Sequence, residues 1–110
     1  MDKSSALQVF DALAHSTRLD IFQLLVRMEP EGMVAGEIAS ELGLSPSKFS
    51  FHAKVLLQTG LITATQEGLY QRYRANIALV PELIGFLTEN CCAGNPSHCA
   101  ALCTNQNCGC

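Results

Sequence analysis

Between Leu44 and Ala75 the apolar period changes once, and that change limits the fold more than any other feature of the chain. The stretch "LSPSKFSFHAKVLLQTG" opens with Ser45-Pro46. A serine oxygen can cap free backbone N–H groups, and proline suits the first helical position because its missing N–H costs nothing there. Phe49, Ala53 and Leu56, with Leu57, form the inward stripe, while Ser47, Lys48, Ser50, His52 and Lys54 fall largely outside it. Gly60 ends the helix. In "LITATQEGLYQRYRA" the period then becomes two. Ile62, Ala64 and Gln66 alternate with Thr63, Thr65 and Glu67. After Glu67-Gly68, Tyr70, Arg72 and Arg74 alternate with Leu69, Gln71 and Tyr73. Two such runs about a glycine turn predict a β-hairpin.

Helical spacing surrounds this unit. Leu7, Phe10, Leu13 and Ala14 predict a first helix over about residues 4–15. Ser16 is a candidate N-cap for a second, with Leu19, Phe22, Leu25 and Met28 as its buried stripe, and Glu29-Pro30-Glu31-Gly32 stops it. Gly36 to Leu42 forms a short third helix, with Ile38, Ala39 and Leu42 facing inward and Gly43 closing it. After the hairpin, Ala78 to Thr88 is helical again through Leu79, Leu83, Ile84 and Leu87, with Pro81 tolerated in the first turn.

The net charge of −3 argues against a nucleic-acid partner until its distribution is considered. Before Ser45 there are three basic residues (Lys3, Arg18, Arg27) and seven acidic ones. From Ser45 to Asn76 there are four basic residues (Lys48, Lys54, Arg72, Arg74) and Glu67 alone is acidic. A phosphate backbone meets the local patch rather than the sum. The 110 residues and a hydrophobic fraction of 48% fit one globular domain with a modest core. No apolar run approaches the roughly 20 residues of a membrane helix, and "MDKSSALQVFDALAHS" lacks the basic and apolar regions of a signal peptide. A cytoplasmic chain with no membrane partner is expected.

Three short helices, a tight turn, a polar-faced helix and a basic hairpin make a mainly α winged helix-turn-helix. The helix from Pro46 would enter a major groove of double-stranded DNA, with Ser47, Lys48, Ser50, Phe51, His52 and Lys54 near bases and phosphates. Its N-terminus would add backbone N–H donors toward a phosphate. Arg72 and Arg74 would meet flanking phosphates, or the minor groove if the hairpin reaches it. Taken singly, each of these lysines could equally be an ordinary solvated side chain, and a lone histidine is more often structural than a base reader. Their clustering on one helix, with the basic hairpin behind, is what favours DNA.

"ALAHSTRLDIFQLLV", "GEIASELGLSPSKFSFHAKVLLQTGLI" and "EGLYQRYRA" resemble, in that order, the ArsR/SmtB family of bacterial metal-responsive repressors. The resemblance spans about residues 5–92. It implies a homodimer joined through the first and last helices, with Leu7, Phe10, Leu83 and Leu87 as interface candidates, and a roughly two-fold operator. The family's recognition helix usually carries serine, two histidines and a leucine before its lysine. Here Phe51 and Ala53 depart from that pattern, which bears on operator sequence.

All six cysteines lie in the tail "ENCCAGNPSHCAALCTNQNCGC": Cys91, Cys92, Cys99, Cys103, Cys108 and Cys110. Reduced cysteines in a cytosolic chain point to metal binding or redox chemistry rather than to staples. Their spacing lacks the paired knuckles of structural zinc. Within the family, one arsenic site needs Cys-x-Cys in the third helix, and one zinc site needs histidines on the last; neither occurs here. The resemblance is instead to arsenite-responsive members with a Cys-Cys pair after the last helix and one later cysteine. That implies Cys91, Cys92 and Cys99 as ligands of trivalent arsenic or antimony, with no constitutive cofactor. Cys103 is four residues beyond Cys99, so on a helix it would share a face and could be a rival ligand. The expected organisation is a DNA-binding and dimerisation domain at 1–90 and a metalloid-binding tail at 91–110. The expected function is a repressor released from its operator by the metalloid. A thiol redox switch or a zinc sensor is the alternative. With dispersed histidines and no phosphate-cradling loop, no enzyme is expected.

Overall fold

Asp2 starts the first helix: its Oδ1 accepts from the Ser5 N–H at 2.7 Å, and this hydrogen bond holds the carboxyl below its usual range. The computed structural model describes residues 1–89. The elements are α1 (Lys3–Leu13), α2 (Ser16–Arg27), β1 (Met33–Val34), α3 (Ala35–Leu42), α4 (Pro46–Gln58), β2 (Ile62–Glu67), β3 (Tyr70–Ala75) and α5 (Leu79–Leu87). The fold is the winged helix-turn-helix expected from the sequence. The predicted tail ligands Cys91, Cys92 and Cys99, and the remaining cysteines, lie outside the described residues.

Local signals set the helix-turn-helix. Gly43 turns left-handed at φ 66°, and the Leu44 N–H returns to the Ala39 carbonyl at 2.8 Å. Ser45 then caps α4, its Oγ accepting from the Lys48 N–H at 3.2 Å, with Pro46 in the first turn. Gly60, at φ 80°, reverses the chain into β2.

The sheet has one strand more than the hairpin. β3 is central, in the order β1-β3-β2, and all pairing is antiparallel. Met33 faces Tyr73 and Val34 faces Arg72 across one edge, while Thr65 faces Arg72 and Thr63 faces Arg74 across the other. Two residues cannot show a period, which is why β1 leaves no sequence signal.

Ile21, Leu25, Ile38, Leu56, Leu61 and Ile62 are almost wholly buried where α2, α3, α4 and the base of the hairpin meet. Burying each such side chain contributes about 1.5–3 kcal/mol, and Leu56→Ala would cost roughly 2–5 kcal/mol.

The expected cap and stripe of α2 and the expected stripe of α4 are corrected, and packing sets the faces that spacing left open in α1 and α5. In α1, Ala6, Val9 and Ala12 face inward, whereas Leu7 and Phe10 are exposed. The helix carries two adjacent apolar stripes, and the one with small residues packs inside. In α2, His15 rather than Ser16 is the N-cap. The inward residues of that helix are Ile21, Phe22, Leu24 and Leu25, and Leu19 and Met28 are exposed. In α4, Leu57 is exposed and His52 is buried. His52 lies three residues after Phe49 and four before Leu56, on the inward stripe rather than outside it. On α5, Leu79 and Leu83 pack against the core, while Val80, Ile84 and Leu87 are exposed.

Candidate nucleic-acid interface

Ser47, Lys48, Ser50, Phe51 and Lys54 are all exposed on α4. Helical geometry brings Ser47, Lys48, Phe51 and Lys54 into one row, since residues three and four apart are neighbours. The row begins at a helix N-terminus, where unpaired N–H groups and the helix dipole favour an anion. The hydroxyls of Ser45 and Ser47 are 3.4 Å apart at this end.

His52 supports the row from behind. It is 9% exposed, and its ring is 4.6 Å from that of His15, tilted by 46°. Phe51 meets His52 edge-on at 5.2 Å and 73°. The His52 Nδ1 is buried without a hydrogen-bond partner. Burial pushes the His52 pKa down, and the nearby charges of His15, Arg18 and Lys48 push it the same way. His15 Nδ1 accepts from the Thr17 N–H at 3.3 Å, and Arg18 Nε donates to the Ala12 carbonyl at 2.8 Å. The α1–α2 junction thus forms the seat of the histidine pair.

Arg72 and Arg74 share a face of β3, as their alternation predicts. Both are half-buried and tied to their surroundings. Arg72 Nε donates to Glu67 Oε1 at 2.9 Å and its NH1 to the Glu31 carbonyl at 3.4 Å. The Glu67 hydrogen bond raises the Arg72 pKa further above its ordinary value. Arg74 Nε donates to the Pro30 carbonyl at 3.2 Å and its NH1 to Thr65 Oγ1 at 3.3 Å. These bonds hold the wing against the α2–β1 loop and leave the remaining guanidinium N–H groups as donors.

Two supporting residues escaped the sequence reading. Gly32 has φ 72°, and a Cβ there would collide with the Tyr73 carbonyl and the Arg74 side chain. Only glycine lets the loop lie this close to β3. Tyr73 points away from the arginines and packs edge-on against Phe49 of α4, with centroids 5.3 Å apart at 84°, and its burial raises the phenol pKa. The alternation of Tyr73 with Arg72 and Arg74 was the available signal. Through Phe49–Tyr73 the wing and α4 are one packed unit.

Among the described residues no group of three or more His, Cys, Asp or Glu side chains could hold a metal ion. None of the described helices is long and apolar enough to cross a membrane.

A family of helix-turn-helix domains matches residues 13–64. The Probable mercury resistance operon repressor of Streptomyces lividans is 28% identical over 95 residues, covering 86% of this chain and 72% of that one. The ArsR-like Transcriptional Regulator from Rhodococcus sp. RHA1 superposes with a TM-score of 0.67 at 26% identity, over 90% of each chain. The homodimeric winged helix-turn-helix DNA-binding domain Mb0332 from Mycobacterium bovis, described as a possible ArsR-family transcriptional regulator, superposes with a TM-score of 0.63. It is 25% identical, over 84% of this chain and 85% of that one. The chain is thus similar to winged-helix transcriptional regulators, ArsR-like ones among them. The fold and the relatives are those of DNA-binding regulators, not of enzymes.

Proposed function

We propose that two copies of this chain bind a two-fold operator through α4 and the wing and repress transcription, and that trivalent arsenic or antimony on Cys91, Cys92 and Cys99 releases the DNA. The observation that carries the DNA half is the exposed row of Ser47, Lys48, Phe51 and Lys54 on a capped helix, with an arginine-bearing wing packed to it through Phe49 and Tyr73. Lys48, Lys54, Arg72 and Arg74 supply phosphate contacts, and Ser47 and Ser50 reach base edges.

Pairing is supported by the exposed apolar side chains Leu7 and Phe10 on α1 and Ile84 and Leu87 on α5. The Mycobacterium bovis relative is homodimeric, and a two-fold dimer presents two recognition helices to successive major grooves.

The sensor half rests on the chemistry of the tail. Thiolates are soft donors and select thiophilic ions. Cys91 and Cys92 follow α5 within a few residues, so a ligand there acts on the helix that carries part of the proposed dimer face. A coupling of about 1–3 kcal/mol, roughly 5–150-fold in DNA affinity, suffices for induction. The name of the Streptomyces lividans relative favours one second reading, in which the thiophilic ion is mercury.

The test of the DNA half is binding of reduced protein to DNA from upstream of its own gene across a range of salt. Wild type binds with an affinity that falls steeply with salt, and Lys48→Ala with Lys54→Ala lowers the slope by about 1 per lost phosphate contact. Absence of binding at moderate salt contradicts the reading.

A further inference from the structure

Phe51 sits at the centre of the outward row of α4 and is 63% exposed. It is flanked on the helix surface by Lys48 and Lys54, three residues to either side, and by Ser47, four before it. We propose that Phe51 is a specificity-determining residue that recognises the C5-methyl group of thymine in the major groove; this rests on the reading of α4 as the DNA-contacting helix.

Two features carry it. The ring rests against a buried side chain on one side. It meets His52 edge-on at 5.2 Å, and His52 in turn lies against His15 at 4.6 Å. A ring backed on one side presents its other surface outward, and an aromatic side chain with two χ angles loses little entropy on binding. Its surroundings then select the occupant. Two cations beside an exposed aromatic ring call for a partner that is anionic overall yet offers a small apolar group at that point. The major groove of duplex DNA meets both conditions, because the thymine methyl is the apolar group on its floor, between two phosphate backbones. The neighbouring serines reach hydrogen-bonding edges, which leaves Phe51 to sense the methyl.

The experiment uses the full-length reduced protein, free of thiophilic ions. It selects binding sites from a random duplex pool. Each thymine of the selected site is then replaced in turn by deoxyuridine, which removes the methyl and keeps every hydrogen-bonding group. Affinity is measured for wild type and Phe51→Ala.

At one thymine per half-site, loss of the methyl weakens wild type by about 4-fold, the worth of one buried methyl, and by about 16-fold when both half-sites are changed. Phe51→Ala binds the thymine and uracil forms equally there and retains the wild-type salt dependence. Wild type insensitive to uracil at every position, a selected site without a shared thymine, or an unchanged thymine preference in Phe51→Ala would each overturn the proposal while leaving α4 as the DNA-binding helix. Failure to select any DNA overturns both.

Discussion

Arg74 donates from Nε to the carbonyl of Pro30, 3.2 Å away and 44 residues earlier in the chain. With the Arg72–Glu31 bond beside it, this contact fixes the wing to the loop after α2. The arginines that the sequence offers for DNA therefore also position the hairpin that carries them.

Gly32 is the hinge of that arrangement. Gly32→Ala forces a Cβ into the Tyr73 carbonyl at a left-handed φ. The backbone strain alone is about 1–2 kcal/mol, and displacement of the loop adds to it. A loss of at least ~2 kcal/mol in urea unfolding is expected, together with weaker DNA binding. Gly36→Ala is the control. Its Cβ would meet nothing within 4 Å, and a helical alanine is neutral to stabilising by up to about 1 kcal/mol.

Lys48 and Arg74 should separate binding from stability. Lys48 is exposed and its side chain makes no hydrogen bond among the described residues. Lys48→Ala should leave the unfolding midpoint within about 0.5 kcal/mol of wild type and weaken DNA binding uniformly across sequences. Arg74→Ala should weaken DNA binding and also destabilise by about 1 kcal/mol, because two hydrogen bonds to its neighbours are lost.

His52 gives the fold an acid sensitivity. Its pKa is lowered in the folded state by burial and by the positive potential of His15, Arg18 and Lys48. The unfolded chain then takes up the proton more readily than the folded one. This contribution is fully present above the ordinary imidazole pKa of about 6.5 and is lost as pH falls below it toward the lowered folded value. Unfolding free energy should therefore decline from pH 7.5 to 5.5, and His52→Gln should flatten part of that decline. An unchanged pH profile in His52→Gln would remove the assignment.

Leu7→Glu and Leu87→Glu each place a charge on an exposed apolar position. If α1 and α5 form the dimer face, sedimentation should show the variants shifted toward monomer, with unfolding of the monomer little changed. Operator affinity should fall with them, since a monomer engages one half-site.

The recognition unit was legible because its signals are local. Ser45-Pro46 starts α4, Gly43 and Gly60 bound it, and the change to alternating residues after Leu61 marks the wing. Orientation was less legible. In α1 two apolar stripes run side by side, and only packing selects Ala6, Val9 and Ala12. His52 looked outward by its polarity, yet its place between Phe49 and Leu56 puts it inside. The roles of Gly32 and of the Pro30 and Glu31 carbonyls depend on β3, some forty residues later, and no local pattern carries such a contact. The proposed cysteine ligands rest on the family resemblance, and they lie outside the described residues.

The most direct measurement is fluorescence anisotropy of reduced protein on labelled DNA from upstream of its gene, titrated separately with arsenite, antimonite, mercuric ion, zinc and an oxidant. The account predicts release by arsenite or antimonite at a few equivalents per protomer, with Cys91→Ser and Cys92→Ser binding DNA as wild type does but failing to let go. Release by zinc or the oxidant alone, or normal arsenite release from both cysteine variants, would contradict it.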